Sequence, residues 1–299
     1  MNTLIKNVLV VGAGVMGRQI AMSVALAGYQ TTVQDISSDM LGAAQSNLNS
    51  WAEGQVAKGK LDRVAADTTF DRLSWTTDLE DAASTADLVV EAATERLDIK
   101  TEIFATLGRC APPHAILTTN SSTLGSSKVA GATNRPDKVC NLHFFNPALV
   151  MKCVEVVRHE GTSQGTADTV LEFARRLGKQ PVLLAREIPG FIANRLMGAL
   201  QHEALALAGA GIATKEDIDI TARAALGHPM GPFELMDMIG LDVIDFIAQA
   251  IHAETRQDVD KPDPTVAALV AQGMLGRKSG AGFYVYGHGP ASSTPRKST

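Results

Sequence analysis

The stretch Val8-Leu9-Val10-Val11-Gly12-Ala13-Gly14-Val15-Met16-Gly17 constrains this chain more than any other. An unbroken aliphatic run reads as a strand buried on both faces, because a half-exposed strand would alternate apolar with polar residues. The run stops at a turn of pattern G-x-G-x-x-G and continues as a helical period over residues 14–27. Gly12 permits the tight turn, Gly14 lets the backbone come close to a pyrophosphate, and Gly17 lets the helix pack against the strand. The helix N-terminus, at Val15 and Met16, offers N–H groups and a dipole to negative charge. A glycine turn that binds nothing is the bland alternative. Against it stands Asp35, at the end of the next β-rich run, Thr31-Thr32-Val33-Gln34. A carboxylate there accepts from ribose hydroxyls and repels a 2′-phosphate; no arginine adjoins it, so NAD is expected rather than NADP. Gly12, Gly14, Val15, Met16, Gly17 and Asp35 are the first cofactor candidates.

The alternation of strand-like and helical runs continues through the first half. Further strands are expected at 88–90, 116–118, 139–142 and 153–157, with helical stretches at 39–58, 100–107 and 165–177. This is the pattern of an α/β, Rossmann-type, doubly wound and mostly parallel sheet. Beyond Glu187-Ile188-Pro189-Gly190 strand-like runs nearly vanish, and helical periods cover 191–208, 215–226, 235–253 and 265–272, punctuated by Gly and Pro. We therefore expect an NAD-binding domain over 1–186, an all-helical domain over 187–286, and a disordered tail over 287–299, where Gly, Ser and Pro accumulate.

The remaining composition narrows the partners. A net charge of −5 with mixed signs and no basic patch argues against nucleic acid. No apolar run reaches the roughly 20 residues of a membrane span. The nearest, 196–213, is interrupted by Gln201, His202 and Glu203. The N-terminal residues lead straight into the first strand without the profile of a signal peptide. Cys110, Cys140 and Cys153 are scattered, with neither metal spacing nor a disulfide framework, and the histidines show no metal spacing either. A soluble, cytoplasmic protein with reduced thiols and no metal is expected.

The chemistry points to His143. It opens His143-Phe144-Phe145-Asn146-Pro147, and Glu155 follows among valines in Val154-Glu155-Val156-Val157. A carboxylate on an apolar strand is costly to bury unless it meets a partner. An imidazole is the natural partner, and a carboxylate-oriented imidazole makes a general base near neutral pH. The alternatives are a satisfied histidine at a strand end and a solvated edge glutamate. Ser122 lies in the loop after the 116–118 strand, at the carboxyl end of the sheet; by position alone it could equally cap a helix. Asn194, an amide within an apolar helical stretch, implies a required hydrogen bond.

Taken in order, the glycine turn, Glu91-Ala92-Ala93-Thr94-Glu95 with Lys100, Asn120-Ser121-Ser122-Thr123, His143-Phe144-Phe145-Asn146-Pro147, Pro189-Gly190-Phe191-Ile192-Ala193-Asn194-Arg195 and Pro229-Met230-Gly231-Pro232 closely resemble the L-3-hydroxyacyl-CoA dehydrogenases, including the bacterial 3-hydroxybutyryl-CoA enzymes. The resemblance spans residues 5 to about 286. It implies NAD-dependent, reversible oxidation of an L-3-hydroxyacyl-CoA. His143 would be the general base and Glu155 its orienting carboxylate; Ser122 would donate to the substrate 3-oxygen near the nicotinamide. Asn194 would reach the substrate carbonyl from the other domain. Glu95 and Lys100 fall at positions near the nicotinamide ribose, and Lys278 at a late-chain cofactor contact. Lys58 and Lys60 are the cations expected for the CoA phosphates. The preceding stretch, Asn47 to Gly54, departs from the family's usual lysines and serines. The resemblance also implies a homodimer formed through the helical domain, which cannot easily bury its apolar faces alone. Two other readings remain open: a dehydrogenase of a free hydroxy acid such as L-gulonate or carnitine, whose members usually lack the double Phe, and a non-catalytic NAD-binding sensor.

Overall fold

The computed structural model describes residues 5–287, so all of the expected tail except Gly287 lies outside the described residues. Eight strands form one sheet: β1 (Asn7–Val11), β2 (Gln30–Gln34), β3 (Leu73–Thr76), β4 (Leu88–Glu91), β5 (Ile116–Thr119), β6 (Val139–Phe144), β7 (Cys153–Val157) and β8 (Gln180–Leu184). They run in the order β3-β2-β1-β4-β5-β6-β7-β8. Neighbours are parallel except β6 and β7, which are antiparallel.

The aliphatic run of β1 explains the two layers. Side chains alternate across a strand. Val8 and Val10 pack with Ile20 and Val24 of helix Val15–Leu26 and with Val170 and Phe173 of helix Gln164–Arg176. Leu9 and Val11 pack on the opposite face with Phe104 and Leu107 of helix Leu97–Cys110. Each such side chain, fully buried, is worth about 1.5–3 kcal/mol, which is why an all-aliphatic strand sits at the centre. The doubly wound sheet expected from the sequence is the one observed.

The two strands that the periodicity missed, β3 and β8, are the edges. Edge strands need no continuous apolar run: β8 exposes Gln180, Val182 and Leu183 and carries Pro181, which a central ladder would exclude. Helix Arg63–Phe70, also missed, starts at an Asp62 cap whose side chain accepts from Val64 and Ala65 N–H.

The first compact unit ends at Phe191, slightly beyond the boundary read at residue 187. The second, from Ile192, is helical, continuing the helix Phe191–Gly209 and then Lys215–Leu226, Pro232–Ile239, Leu241–Thr255 and Pro264–Ala271. The single helix expected over 235–253 is two helices. Gly240, at φ +107°, breaks it, a conformation that helical residues cannot adopt.

Buried carboxylates organise this unit. Asp219 accepts from the N–H groups of Phe233 and Glu234 and from the Tyr284 hydroxyl, at 2.9, 3.1 and 2.9 Å. Asp237 accepts from Phe283 N, Tyr284 N and Tyr286 hydroxyl at 2.9, 2.8 and 2.9 Å. Among the described residues, no helix is long and apolar enough to cross a membrane.

Candidate active site

The glycine turn follows β1, and the strand order reverses between β1 and β4, so the turn opens onto the crevice where such sheets bind ligands. Gly12 has φ +101°, and a Cβ there would lie 2.7 Å from the Ala92 carbonyl oxygen. A Cβ on Gly17 would lie 1.8 Å from the Gly12 carbonyl oxygen, which fixes glycine at the close approach of helix to turn. Gly14 differs: nothing lies within 4 Å of its added Cβ, so its face of the turn is open. Helix Val15–Leu26 has no side-chain cap at Gly14, whereas Ser37, Asp62, Asp78 and Ser163 cap other helices of the unit. Its first-turn N–H groups therefore remain available to an anion. Asp35 follows β2 and accepts from Ala13 N–H at 2.8 Å and Ser37 N–H at 3.0 Å, which aims the carboxylate at the turn. An open Gly14 face, an uncapped helix start and an acid at the second strand fit a dinucleotide.

A cavity of about 310 Å³ adjoins this turn, lined by Gly14, Val15, Met16, Glu95, Lys100 and Ser122 among others. Lys100 is almost fully buried, and its ammonium lies 2.8 Å from each oxygen of Glu91, which ends β4, and 3.4 Å from Glu95. Glu91 also accepts from the Thr119 hydroxyl at 2.7 Å and the Ala93 N–H at 2.8 Å. With every lone pair engaged, this pair can exist in a low-dielectric setting. Glu91 was not among the sequence candidates. It ends the aliphatic run of β4 much as Glu155 sits among valines, and the same signal could have found it.

Glu95 gathers the loop after β5. It accepts from the Ser121 hydroxyl, from the N–H groups of Ser122 and Thr123 at 3.2 and 3.3 Å, and from the Thr123 hydroxyl at 2.9 Å. Burial pushes its carboxyl up, but Lys100 and the Ser121 and Thr123 donors outweigh this and hold it below the ordinary glutamate value.

The His143–Glu155 pair is made by strand register. In the antiparallel pairing of β6 with β7, His143 stands directly opposite Glu155, so their side chains emerge on the same face. His143 Nδ1 lies 2.9 Å from Glu155 Oε2, and His143 Nε2 lies 2.9 Å from Ser122 Oγ. A carboxylate can only accept, so Nδ1–H donates to Glu155 and Nε2 is left to accept from the Ser122 hydroxyl. Phe145 and Phe191 meet the imidazole edge-on, with ring centroids at 4.6 and 5.6 Å. Asn120 accepts from Phe144 N–H at 2.8 Å, which ties the β5 loop to the end of β6. Cys140, on the same strand, is fully buried, which pushes its thiol up to about 12 and leaves it no role as a nucleophile.

Lys58 and Lys60 are exposed at the end of helix Ser38–Ala57 and line neither the cavity nor the His143 line. Asn194 and Lys278 belong to the second unit. Asn194 is in the first turn of helix Phe191–Gly209; Lys278 pairs with Asp242 at 2.6 Å. Among the described residues, no group of His, Cys, Asp and Glu side chains could hold a metal ion.

An uncapped dinucleotide turn beside a carboxylate-oriented imidazole defines a dehydrogenase of the dinucleotide-binding class. Residues 7–188 match the family model for the 3-hydroxyacyl-CoA dehydrogenase NAD binding domain, and residues 190–286 match the model for that family's C-terminal domain. A 3-hydroxybutyryl-CoA dehydrogenase of Mycobacterium tuberculosis is 40% identical over 288 residues, 96% of this chain and 100% of that one. The mitochondrial hydroxyacyl-coenzyme A dehydrogenase of Rattus norvegicus is 40% identical over 290 residues, 95% of this chain and 92% of the relative. The crystal structure of (S)-3-hydroxybutyryl-CoA dehydrogenase PaaH1 from Ralstonia eutropha superposes with a TM-score of 0.90 at 34% identity, covering 95% of this chain and 100% of that one. This chain belongs to the 3-hydroxyacyl-CoA dehydrogenase family.

Proposed function

We propose that this chain is an NAD-dependent L-3-hydroxyacyl-CoA dehydrogenase that interconverts the 3-hydroxyl and 3-oxo thioesters. The observation that carries the reading is the continuous line from Ser122 Oγ through the His143 imidazole to Glu155, with both contacts at 2.9 Å. Bound NAD would supply the hydride acceptor for C3. His143 Nε2 takes the 3-hydroxyl proton in the oxidation direction and returns it in reduction. Glu155 holds the ring in the tautomer that leaves Nε2 basic, and stabilises the imidazolium once the proton has arrived. Ser122 donates to the same 3-oxygen, and Asn194 to the thioester carbonyl.

The Gly12–Gly17 turn, with Val15 and Met16, holds the pyrophosphate, and Asp35 the adenosine ribose. Glu95 and Lys100 border the nicotinamide half, with Lys278 as a further contact from the helical domain. Lys58 and Lys60 are assigned to the CoA phosphates, where their exposure leaves them accessible. The helical domain is proposed to pair with its twin; Leu196, Val243 and Phe246 are exposed apolar side chains it would cover. A cytoplasmic location accords with the free cysteines.

NADH oxidation with acetoacetyl-CoA, acetoacetate and a keto sugar acid side by side tests the substrate class. Turnover of acetoacetyl-CoA alone or far above the others is expected; turnover of only the free acids would move the chain to the hydroxy-acid reading. NADH binding without any turnover would favour a sensor. Light scattering should give a dimer, and a monodisperse monomer would refute the pairing.

A further inference from the structure

The loop carrying Ser122 is held along its length by side chains from separate segments. Glu95 holds its start, as described above. Asn141, on β6 two positions before His143, holds its middle. The Asn141 amide donates to the carbonyls of Ser121 and Leu124 at 3.2 and 3.1 Å, and its oxygen accepts from Ser126 N–H at 2.7 Å. The far end is held by Glu187, which follows β8 where the chain leaves the sheet. Glu187 Oε1 accepts from the Ser126 hydroxyl at 2.7 Å and from the Ser127 N–H at 2.9 Å. Its other oxygen lies against Gly125, where an added Cβ would be only 2.6 Å from Oε2. The carboxylate is thus seated on a glycine that leaves it just enough room.

Four residues beyond Glu187, Phe191 returns to the site with φ +50°, a left-handed conformation that is strained for a bulky side chain. Its ring is buried with Val157, Leu184 and Ile188 and meets the imidazole of His143. The segment 187–191 therefore grips both ends of the Ser122–His143 contact: Ser122 through its loop, His143 through its ring.

We infer that Glu187 is a positioning residue that keeps the Ser122 hydroxyl beside His143 Nε2, bonded to it until substrate enters between them, by clamping the Gly125–Ser127 end of the loop. The inference rests on the roles proposed for Ser122 and His143. The clamp needs an acceptor at Oε1 more than it needs a charge, since both donors converge on that one oxygen. Glu187→Gln keeps such an oxygen and Glu187→Ala removes it. Gly125→Ala displaces the carboxylate without touching Glu187.

Steady-state kinetics with acetoacetyl-CoA, NADH titration by fluorescence and thermal unfolding would be measured on these variants. Glu187→Ala and Gly125→Ala should lower kcat about tenfold or more with NADH affinity within about twofold of wild type. Both should shift the pH at which kcat/KM is half-maximal. Glu187→Gln should stay close to wild type in both respects. Imidazole 15N chemical shifts of His143 should lose the Ser122 hydrogen bond in Glu187→Ala and keep it in Glu187→Gln, whatever substrate the chain turns over. Unchanged 15N shifts in Glu187→Ala would overturn the clamp. So would a Glu187→Gln variant as impaired as Glu187→Ala, or a loss confined to the unfolding midpoint. An intact 15N signature in wild type with no turnover of any thioester would instead break the functional reading and leave the clamp standing.

Discussion

Both units bury carboxylates almost completely, yet they satisfy them by different means. In the α/β unit Glu91 meets the Lys100 ammonium and Glu155 meets the His143 imidazole. In the helical unit Asp219 and Asp237 meet backbone N–H groups and tyrosine hydroxyls. All four are no more than 1% exposed, so burial alone does not separate chemistry from architecture. The partner does. A titratable partner can exchange a proton or present a charge to a ligand, and these pairs occur at the β4 end and on β6 and β7, beside the cofactor turn. A ring of N–H and O–H donors can only hold the carboxylate still, and here it pins the segment Phe283–Tyr286 onto the helices.

The sharpest way to break this contrast is to remove the proposed proton acceptor or its carboxylate. His143→Gln and Glu155→Gln should lower kcat by about 10²–10⁴ while leaving NADH affinity and unfolding midpoints near wild type. A His143→Gln enzyme with near-normal kcat would take the residue out of the mechanism. Next in size is the buried ion pair. Lys100→Met leaves Glu91 charged and unpaired, and should cost about 3–5 kcal/mol in urea unfolding, with much of it recovered in the Lys100→Met/Glu91→Leu double variant. A loss below about 1 kcal/mol would mean that the pair is already solvated.

In the helical unit Asp237→Ala orphans two N–H groups and a hydroxyl. At about 1–3 kcal/mol for a buried unsatisfied group, stability should fall by a few kcal/mol while kcat per folded molecule stays within about twofold of wild type. Gly282→Ala should behave alike, because its Cβ would fall 2.0 Å from the Asp237 carboxylate. A large kcat effect from either would erase the proposed division between reactive and architectural carboxylates.

The smallest effect is a difference in sign with pH. Burial pushes the Asp237 carboxyl above its ordinary 3.8, outweighing the Tyr284, Phe283 and Tyr286 donors. The folded state then holds its proton more tightly than the unfolded chain. The stability of wild type relative to Asp237→Asn should decline as pH rises from about 3.8 through the raised value. Glu95 is shifted the other way, below its ordinary 4.5. Relative to Glu95→Gln, its contribution should be complete above 4.5 and be lost as pH falls through the lowered value. Denaturant titrations of the pairs between pH of about 3 and 7 would reveal the two slopes. Slopes of the same sign would contradict the assignment of causes.

Much of the first unit was legible because its signals are local. A buried parallel strand must be aliphatic, a pyrophosphate turn must be glycine, and a valine-flanked glutamate must find a partner; each fact is written within a few adjacent residues. Edge strands β3 and β8 were not legible, because a strand with one neighbour carries little apolar periodicity. The break at Gly240 was hidden inside a continuous helical period, and its positive φ leaves no mark in that apolar pattern. Asp219 and Asp237 were passed over because their donors come from segments 14 to 49 positions away.

By itself the sequence determined the β1 turn, the expectation of NAD from Asp35, the alternation that winds the sheet, and the suspicion that His143 and Glu155 belong together. Only the tertiary structure decided that they face each other, since strand register depends on pairing energies summed along β6 and β7. It also decided that Ser122 lies on the remaining ring nitrogen, and that Glu91, Asn141 and Glu187 hold the parts in place. Those contacts join residues far apart in the chain, and a hydrogen bond records where two segments meet rather than what either one spells.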